Sequence, residues 1–143
     1  MKPINRLLIV EDYKLFREGL CSMLKSQDFI EIAGDAENGI QAIKKTRQLK
    51  PDMVLLDLSM PQLTGSSAIR EIKREFPNVK ILVLTVHKDD QYVADTFQAG
   101  ADGYCLKDAS PKELVVAAKC VLDGNLYISP AITESVKIAC LYF

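Results

Sequence analysis

Short apolar segments alternate five times with longer segments of helical periodicity along this chain of 143 residues. The apolar segments predict β-strands at residues 6–10, 30–33, 53–56, 80–84 and 103–106. The segments 53–56 and 81–84 are apolar at every position, which is typical of parallel strands that are buried on both faces. Strands that alternate with helices in this way predict an α/β fold, in which helices cover both faces of a parallel sheet.

The five strand and helix units predict a single doubly wound (βα)5 domain, with a five-stranded parallel sheet in the flavodoxin-like order 2-1-3-4-5. Its last helix has the clearest limits, because Ser110 and Pro111 form an N-terminal capping pattern and Gly124 is a typical stop. We therefore place the domain at residues 1–124 and predict a linker or short C-terminal helix over residues 125–143. The apolar face of that helix ends at Phe143, and it is a candidate surface for packing against this domain or for forming a homodimer.

Composition and charge exclude several classes of protein. Apolar residues make up 48% of the chain and charged residues 26%, which is typical of a folded globular protein rather than a disordered one. The formal net charge of -1 gives no basic excess for contacting DNA phosphates, so we expect no direct binding of nucleic acid. The N-terminal apolar run at residues 7–10 is too short for a signal peptide or a membrane span. We therefore expect no membrane insertion and a cytoplasmic location.

Acidic side chains follow two of the predicted strands. Glu11 and Asp12 come directly after the first strand, and Asp57 follows the third. These two strands are neighbours in the predicted order, about 4.8 Å apart, and ligands of such sheets bind outside the carboxyl ends of the strands. Three converging carboxylates repel one another unless a cation neutralises them, and this number of hard oxygen ligands suits Mg²⁺. The sequence therefore predicts a magnesium site at this edge.

Two further side chains at the same edge complete the set of groups that phosphoryl transfer needs. Thr85 follows the fourth strand and offers a hydroxyl donor, and Lys107 follows the fifth and offers a positive charge. A metal ion and a lysine beside a positioned carboxylate stabilise the negative charge of a phosphoryl group in transfer. Asp57 is the natural nucleophile, since a carboxylate can form an aspartyl-phosphate.

The chain resembles the response-regulator receiver domains of two-component signalling. The resemblance covers residues 6 to 124 and rests on L-I-V-E-D at 8–12, L-L-D-L-S-M-P at 55–61, L-T at 84–85 and G-Y-C-L-K at 103–107. It implies that Asp57 is the phosphoacceptor and that Asp12 binds Mg²⁺ directly. It also implies that Glu11 binds the ion through water and that the backbone carbonyl of Ser59 is a further ligand.

The same resemblance assigns the remaining site residues. It implies that Thr85 and Lys107 contact the phosphoryl group. It also implies that Tyr104 is the aromatic switch residue, which moves inward when the Thr85 hydroxyl is drawn to the phosphoryl group. Glu11 stands where most receivers have aspartate, and Asp108 stands where many have proline, so the peptide isomer after Lys107 is left open.

Further details resemble the NarL/LuxR-type subfamily, namely L-T-V-H at 84–87, L-K-D-A at 106–109 and Y-I-S-P at 127–130. This likeness implies a sensor histidine kinase as phosphodonor and a transcriptional output through a helix-turn-helix domain. We expect no such domain within these 143 residues. Any contact with DNA would then pass through that missing output domain.

Three alternatives remain open at this point. A phosphatase of the haloacid-dehalogenase type also uses an aspartyl nucleophile, but it carries a second aspartate two residues on, where this chain has Ser59. A flavodoxin or dinucleotide-binding module would need a glycine-rich phosphate loop, where this chain has Glu11 and Asp12. The third is a receiver-like interaction domain that works without phosphorylation. We expect a regulatory phosphoacceptor rather than an enzyme with broad turnover.

Overall fold

The computed structural model describes residues 3–58 and 65–132. Helices and strands alternate along the chain as β1 (Asn5–Val10), α1 (Lys14–Lys25), β2 (Ile30–Ala36), α2 (Gly39–Leu49), β3 (Met53–Asp57), α3 (Gly65–Glu75), β4 (Lys80–Thr85), α4 (Asp90–Ala99), β5 (Gly103–Leu106), α5 (Pro111–Leu122) and β6 (Tyr127–Ile128). The strands form one sheet in the order β2-β1-β3-β4-β5-β6, and all the pairs are parallel. The predicted flavodoxin-like order is confirmed.

A sixth strand extends the predicted sheet of five. β6 pairs with β5 through Gly103 opposite Tyr127 and Tyr104 opposite Ile128. Two residues are too few to show the alternation of apolar and polar positions by which a strand is recognised in a sequence. Of the linker or short helix predicted over residues 125–143, residues 133–143 lie outside the described residues.

Two hydrophobic layers hold the sheet between the helices. Leu7 and Ile9 of β1 pack with α1 and α5, whereas Leu8 and Val10 pack with α2, α3 and α4. Alternate residues of a strand point to opposite faces, so a strand buried on both sides must be apolar throughout, as the sequence predicted. Full burial of each such aliphatic side chain contributes about 1.5–3 kcal/mol.

Capping interactions fix where the helices begin relative to the sheet edge. The Ser110 hydroxyl accepts a hydrogen bond from the Glu113 amide at 3.1 Å, with Pro111 in the first turn of α5. The Asp89 carboxylate caps α4 by accepting from the Tyr92 amide at 3.2 Å. No helix in the described ranges is long and apolar enough to cross a bilayer.

Candidate functional site

The parallel register brings four strand ends to one edge of the sheet. Val10 lies opposite Leu56 in the β1–β3 pair, so the residue after β1, Glu11, lies beside the last residue of β3, Asp57. Thr85 is the last residue of β4, and Lys107 comes directly after β5. Side chains that are far apart in the sequence are therefore neighbours, as the predicted strand order requires.

Three carboxylates form a cluster at this edge. One oxygen each from Glu11, Asp12 and Asp57 lies within 4.8 Å of the others. Glu11 and Asp57 are only 1% and 2% exposed, whereas Asp12 is open to solvent. The cluster thus has a buried floor and one accessible side, which is the arrangement that a partly hydrated cation needs in order to enter.

Lys107 reaches across the cluster. Its Nζ atom lies 3.1 Å from Oδ2 of Asp57 and 3.1 Å from Oε1 of Glu11. The same ammonium lies 5.0 Å from the centroid of the Phe16 ring, a cation–π contact that limits its movement. The Lys107 amide donates to the Thr85 carbonyl at 2.8 Å, and the peptide bond to Asp108 is trans. Backbone and side chain together hold the positive charge beside Asp57.

Burial and charge shift the protonation of this cluster. Burial, together with the hydrogen bond to and the charge of Asp57, raises the pKa of Glu11 to about 8 against the pull of Lys107. Burial works against the charged form of Lys107, but its hydrogen bonds and ion pairs with Asp57 and Glu11 raise its pKa overall. One lysine therefore leaves the acid cluster under-neutralised. A hard divalent cation fits this donor set, because its positive charge would take the place of the proton that the raised pKa keeps on Glu11.

Thr85 and Tyr104 are linked through one backbone unit. The His87 amide donates to the Thr85 hydroxyl at 3.2 Å, and the Tyr104 hydroxyl donates to the His87 carbonyl at 2.8 Å. Thr85 and Tyr104 are both fully buried, so the tyrosine ring lies inward in this structure. The β4–α4 connection thus joins the hydroxyl at the end of β4 to the aromatic residue of β5.

Tyr92 in the first turn of α4 was not predicted. Its ring stacks on His87 with centroids 4.0 Å apart and planes inclined by 26°. Burial, followed by the charges of Asp57 and Asp89, raises the Tyr92 pKa against a hydrogen bond with the Thr85 side chain. The sequence offers an aromatic residue at the start of a helix, but only the fold turns it toward the site.

Arg17 of α1 is the second residue that was missed. It is 7% exposed, and it lies on the face of α1 that buries Leu20 and Leu24. Its Nη1 atom donates to the backbone carbonyl of Glu11 at 2.8 Å. A charged residue in the apolar register of a helix was the available signal, because such a position is usually filled by an apolar side chain.

The predicted site residues divide into those that the structure brings together and one that lies outside its range. Glu11, Asp12, Asp57 and Lys107 meet at one point, with Thr85 adjoining through β4. The Ser59 carbonyl, predicted as a metal ligand, lies outside the described residues.

The comparison with protein families agrees with this geometry. The response regulator receiver domain model matches residues 7–119. Among curated proteins, the chain is 39% identical over 133 residues to the response regulator GacA of Pseudomonas viridiflava, covering 93% of this chain and 62% of that protein. It is 36% identical over 130 residues to the transcriptional regulatory protein DegU of Brevibacillus brevis, covering 91% of this chain and 55% of that protein. The chain therefore spans less than two thirds of the length of these curated relatives.

A solved structure shows the same fold. The crystal structure of a LuxR-family two-component response regulator from Aurantimonas sp. SI85-9A1 superposes with a TM-score of 0.89 at 29% identity. The match covers 96% of this chain and 99% of that one. The likeness therefore extends over nearly the whole of both chains.

Proposed function

The chain belongs to the response regulator receiver domain family of two-component systems, and from that membership we propose that it is a Mg²⁺-dependent phosphorylation switch with Asp57 as phosphoacceptor. The observation that carries the proposal is the position of the buried Asp57 carboxylate. It lies 3.1 Å from the Lys107 ammonium and within 4.8 Å of carboxylate oxygens of Glu11 and Asp12. A nucleophile, a cation partner and a cation-binding set thus meet at one carboxylate.

Asp12 and Asp57 would hold the ion directly, and Glu11 would hold it through water, with the Ser59 carbonyl as a further predicted ligand. A bound Mg²⁺ supplies positive charge that offsets the negative charge developing on the phosphoryl oxygens. The acid cluster supports this assignment, since its donors are all hard carboxylate oxygens and its charge exceeds what Lys107 balances.

The proposed reaction is the transfer of a phosphoryl group from a phosphohistidine of a sensor histidine kinase. A carboxylate oxygen of Asp57 forms a bond to phosphorus as the P–N bond breaks, and the electron pair of that bond returns to the imidazole of the kinase. The Lys107 ammonium, which contacts Asp57 before the reaction, then pairs with the new phosphoryl oxygens. Thr85 turns its hydroxyl toward the same group, which changes its contact with the His87 amide.

The output is a shift between two states of the β4–α4 connection. The hydrogen bonds from His87 to Thr85 and from Tyr104 to His87 support this coupling, because movement of Thr85 is passed to the backbone that anchors Tyr104. Tyr104 already lies inward here, so phosphorylation would stabilise an arrangement that the unphosphorylated chain can adopt. A changed surface around β5 would then alter association with partners, homodimer formation included.

The wider role follows from the relatives. A transcriptional regulatory protein and a response regulator of greater length are similar to this chain. This similarity supports residues 1–124 as a receiver that controls transcription in the cytoplasm through a helix-turn-helix output domain, with residues 125–143 as the connecting segment. The net charge of -1 supports contact with DNA by that output domain rather than by the receiver.

The test is intact-mass measurement after incubation with acetyl phosphate. We expect one phosphoryl adduct that needs Mg²⁺ and is absent from Asp57→Asn. Asp123→Asn is the matched control, since that aspartate is exposed at the end of α5. An unmodified chain that also fails to bind beryllofluoride would favour an interaction domain that works without phosphorylation. Fast hydrolysis of simple phosphate esters would favour a phosphatase.

A further inference from the structure

Arg17 is buried although it is positively charged and lies near the N-terminus of a helix, where positive charge is unfavourable. It lies in the first turn of α1, where the helix dipole opposes positive charge. Burying an arginine costs several kcal/mol unless its charge and its donors are paired. Here Nε lies 3.0 Å from Oδ2 of Asp35, Nη1 donates to the Glu11 carbonyl at 2.8 Å, and Nη2 lies 3.7 Å from Oε1 of Glu37. Glu11 and Glu37 lie in the connections that follow β1 and β2, and Asp35 lies in β2 next to its last residue.

The β1–α1 connection has few other restraints. Tyr13, the residue before α1, makes no side-chain capping hydrogen bond. The Glu11 amide donates to the Ala36 carbonyl at 3.0 Å, which fixes only the amino side of that residue. The Glu11 carbonyl belongs to the peptide unit that joins Glu11 to Asp12, and its contact with Arg17 sets the rotation of that unit. The direction of the Asp12 side chain depends on this rotation.

We propose that Arg17 is a positioning residue for the divalent-cation site, and that its guanidinium, anchored by Asp35, holds the Glu11–Asp12 peptide so that both carboxylates face Asp57. The inference rests on the proposed function for the identity of the ion. Arg17 contacts the backbone carbonyl of Glu11 and not its carboxylate, so it orients the ligands without competing for their charge. Partners that orient metal ligands from outside typically contribute 10–100-fold to metal affinity.

Asp35, near the end of β2, extends this support to α2. Its carboxylate fixes Nε of Arg17, and its own backbone carbonyl accepts a hydrogen bond from Lys45 of α2. Removal of the Asp35 charge leaves Arg17 its contacts with Glu11 and Glu37 but takes away the partner of Nε. Arg17 and Asp35 therefore act as one unit, and the effects of their substitutions on Mg²⁺ affinity should be less than additive.

The experiment is titration calorimetry of the full chain with Mg²⁺ alone, in the absence of any phosphodonor, with folding verified by circular dichroism. We expect Arg17→Gln to weaken Mg²⁺ binding by about tenfold or more. Asp35→Asn should weaken it less, and the double variant should match Arg17→Gln. Arg47→Gln is the matched control, because that exposed arginine pairs with Glu75 away from the site and should leave the affinity unchanged. Arg17→Lys should restore part of the loss.

A folded Arg17→Gln chain with the affinity of the unaltered protein would overturn the proposal and leave Arg17 a purely structural brace. If Arg17→Gln does not fold, Asp35→Asn and Arg17→Lys decide, and unchanged affinity in both would overturn it equally. The proposed function fails in a different way, namely when the unaltered chain binds Mg²⁺ but accepts no phosphoryl group. An unaltered chain that binds no Mg²⁺ would overturn both.

Discussion

The Tyr104 hydroxyl donates a hydrogen bond of 2.8 Å to the backbone carbonyl of His87. This bond joins β5 to the β4–α4 connection, whose amide at the same residue donates to the Thr85 hydroxyl. The resting chain therefore already contains the physical link through which a change at Thr85 would reach the aromatic residue of β5.

Tyr104→Phe should loosen this link while keeping the ring in the core. We expect the free energy of unfolding to fall by about 1 kcal/mol, the usual contribution of one hydrogen bond. For a chain of this size that corresponds to a melting temperature lower by roughly 3 °C. Hydrogen exchange at the His87 amide should become faster. Tyr13→Phe is the control, since Tyr13 is exposed, and equal stability of both variants would contradict the assigned role of the hydroxyl.

Strand positions could be predicted closely because the residues of a doubly buried parallel strand are apolar throughout, and such runs have no competing interpretation here. The site followed from the same pattern, since Glu11, Asp57 and Lys107 each stand at a strand end and the strand order brings those ends together. β6 was not predicted, because Tyr127 and Ile128 form a strand only through their pairing with β5 and show no strand pattern in the sequence.

Arg17 and Tyr92 escaped prediction for a related reason. Their roles depend on contacts between elements, with Arg17 meeting Asp35 across the α1–β2 interface and Tyr92 meeting His87 across the start of α4. The sequence shows the types of these residues but not the angle at which a helix packs on the sheet. That angle decides whether a polar side chain faces the site or the solvent.

Lys107→Met should separate ion binding from phosphoryl transfer. Removal of the ammonium takes a repelling positive charge away from the acid cluster, so Mg²⁺ affinity should rise by roughly tenfold in a high-dielectric setting. The rate of phosphorylation by acetyl phosphate should fall by roughly a hundredfold or more, because the phosphoryl oxygens lose their partner. Calorimetry and intact mass give the two values, with Lys119→Met as the exposed control. A variant that bound Mg²⁺ more weakly would show that Lys107 acts mainly by holding the carboxylates in place.

Mg²⁺ affinity should increase with pH up to about 8. Burial and the neighbouring Asp57 raise the Glu11 pKa from 4.5 to about 8, so the folded chain holds a proton between these values that the unfolded chain releases. Without Mg²⁺, stability should therefore fall as pH rises through this window. Mg²⁺ competes with that proton, so its dissociation constant should fall by up to tenfold per pH unit between pH 6 and 8. Glu11→Gln should bind Mg²⁺ more weakly with a flat profile, and a flat profile in the unaltered chain would mean that Glu11 is already ionised.

Tyr92→Leu should loosen the β4–α4 connection. The Tyr92 ring stacks on His87 with centroids 4.0 Å apart, and the amide and carbonyl of His87 are the groups that bond Thr85 and Tyr104. Loss of the ring stack should lower the free energy of unfolding by about 1 kcal/mol and make hydrogen exchange at the His87 amide faster. Tyr92→Phe keeps the ring and is the matched control. Equal stability and equal exchange in the two variants would show that the stack does not hold His87 in place.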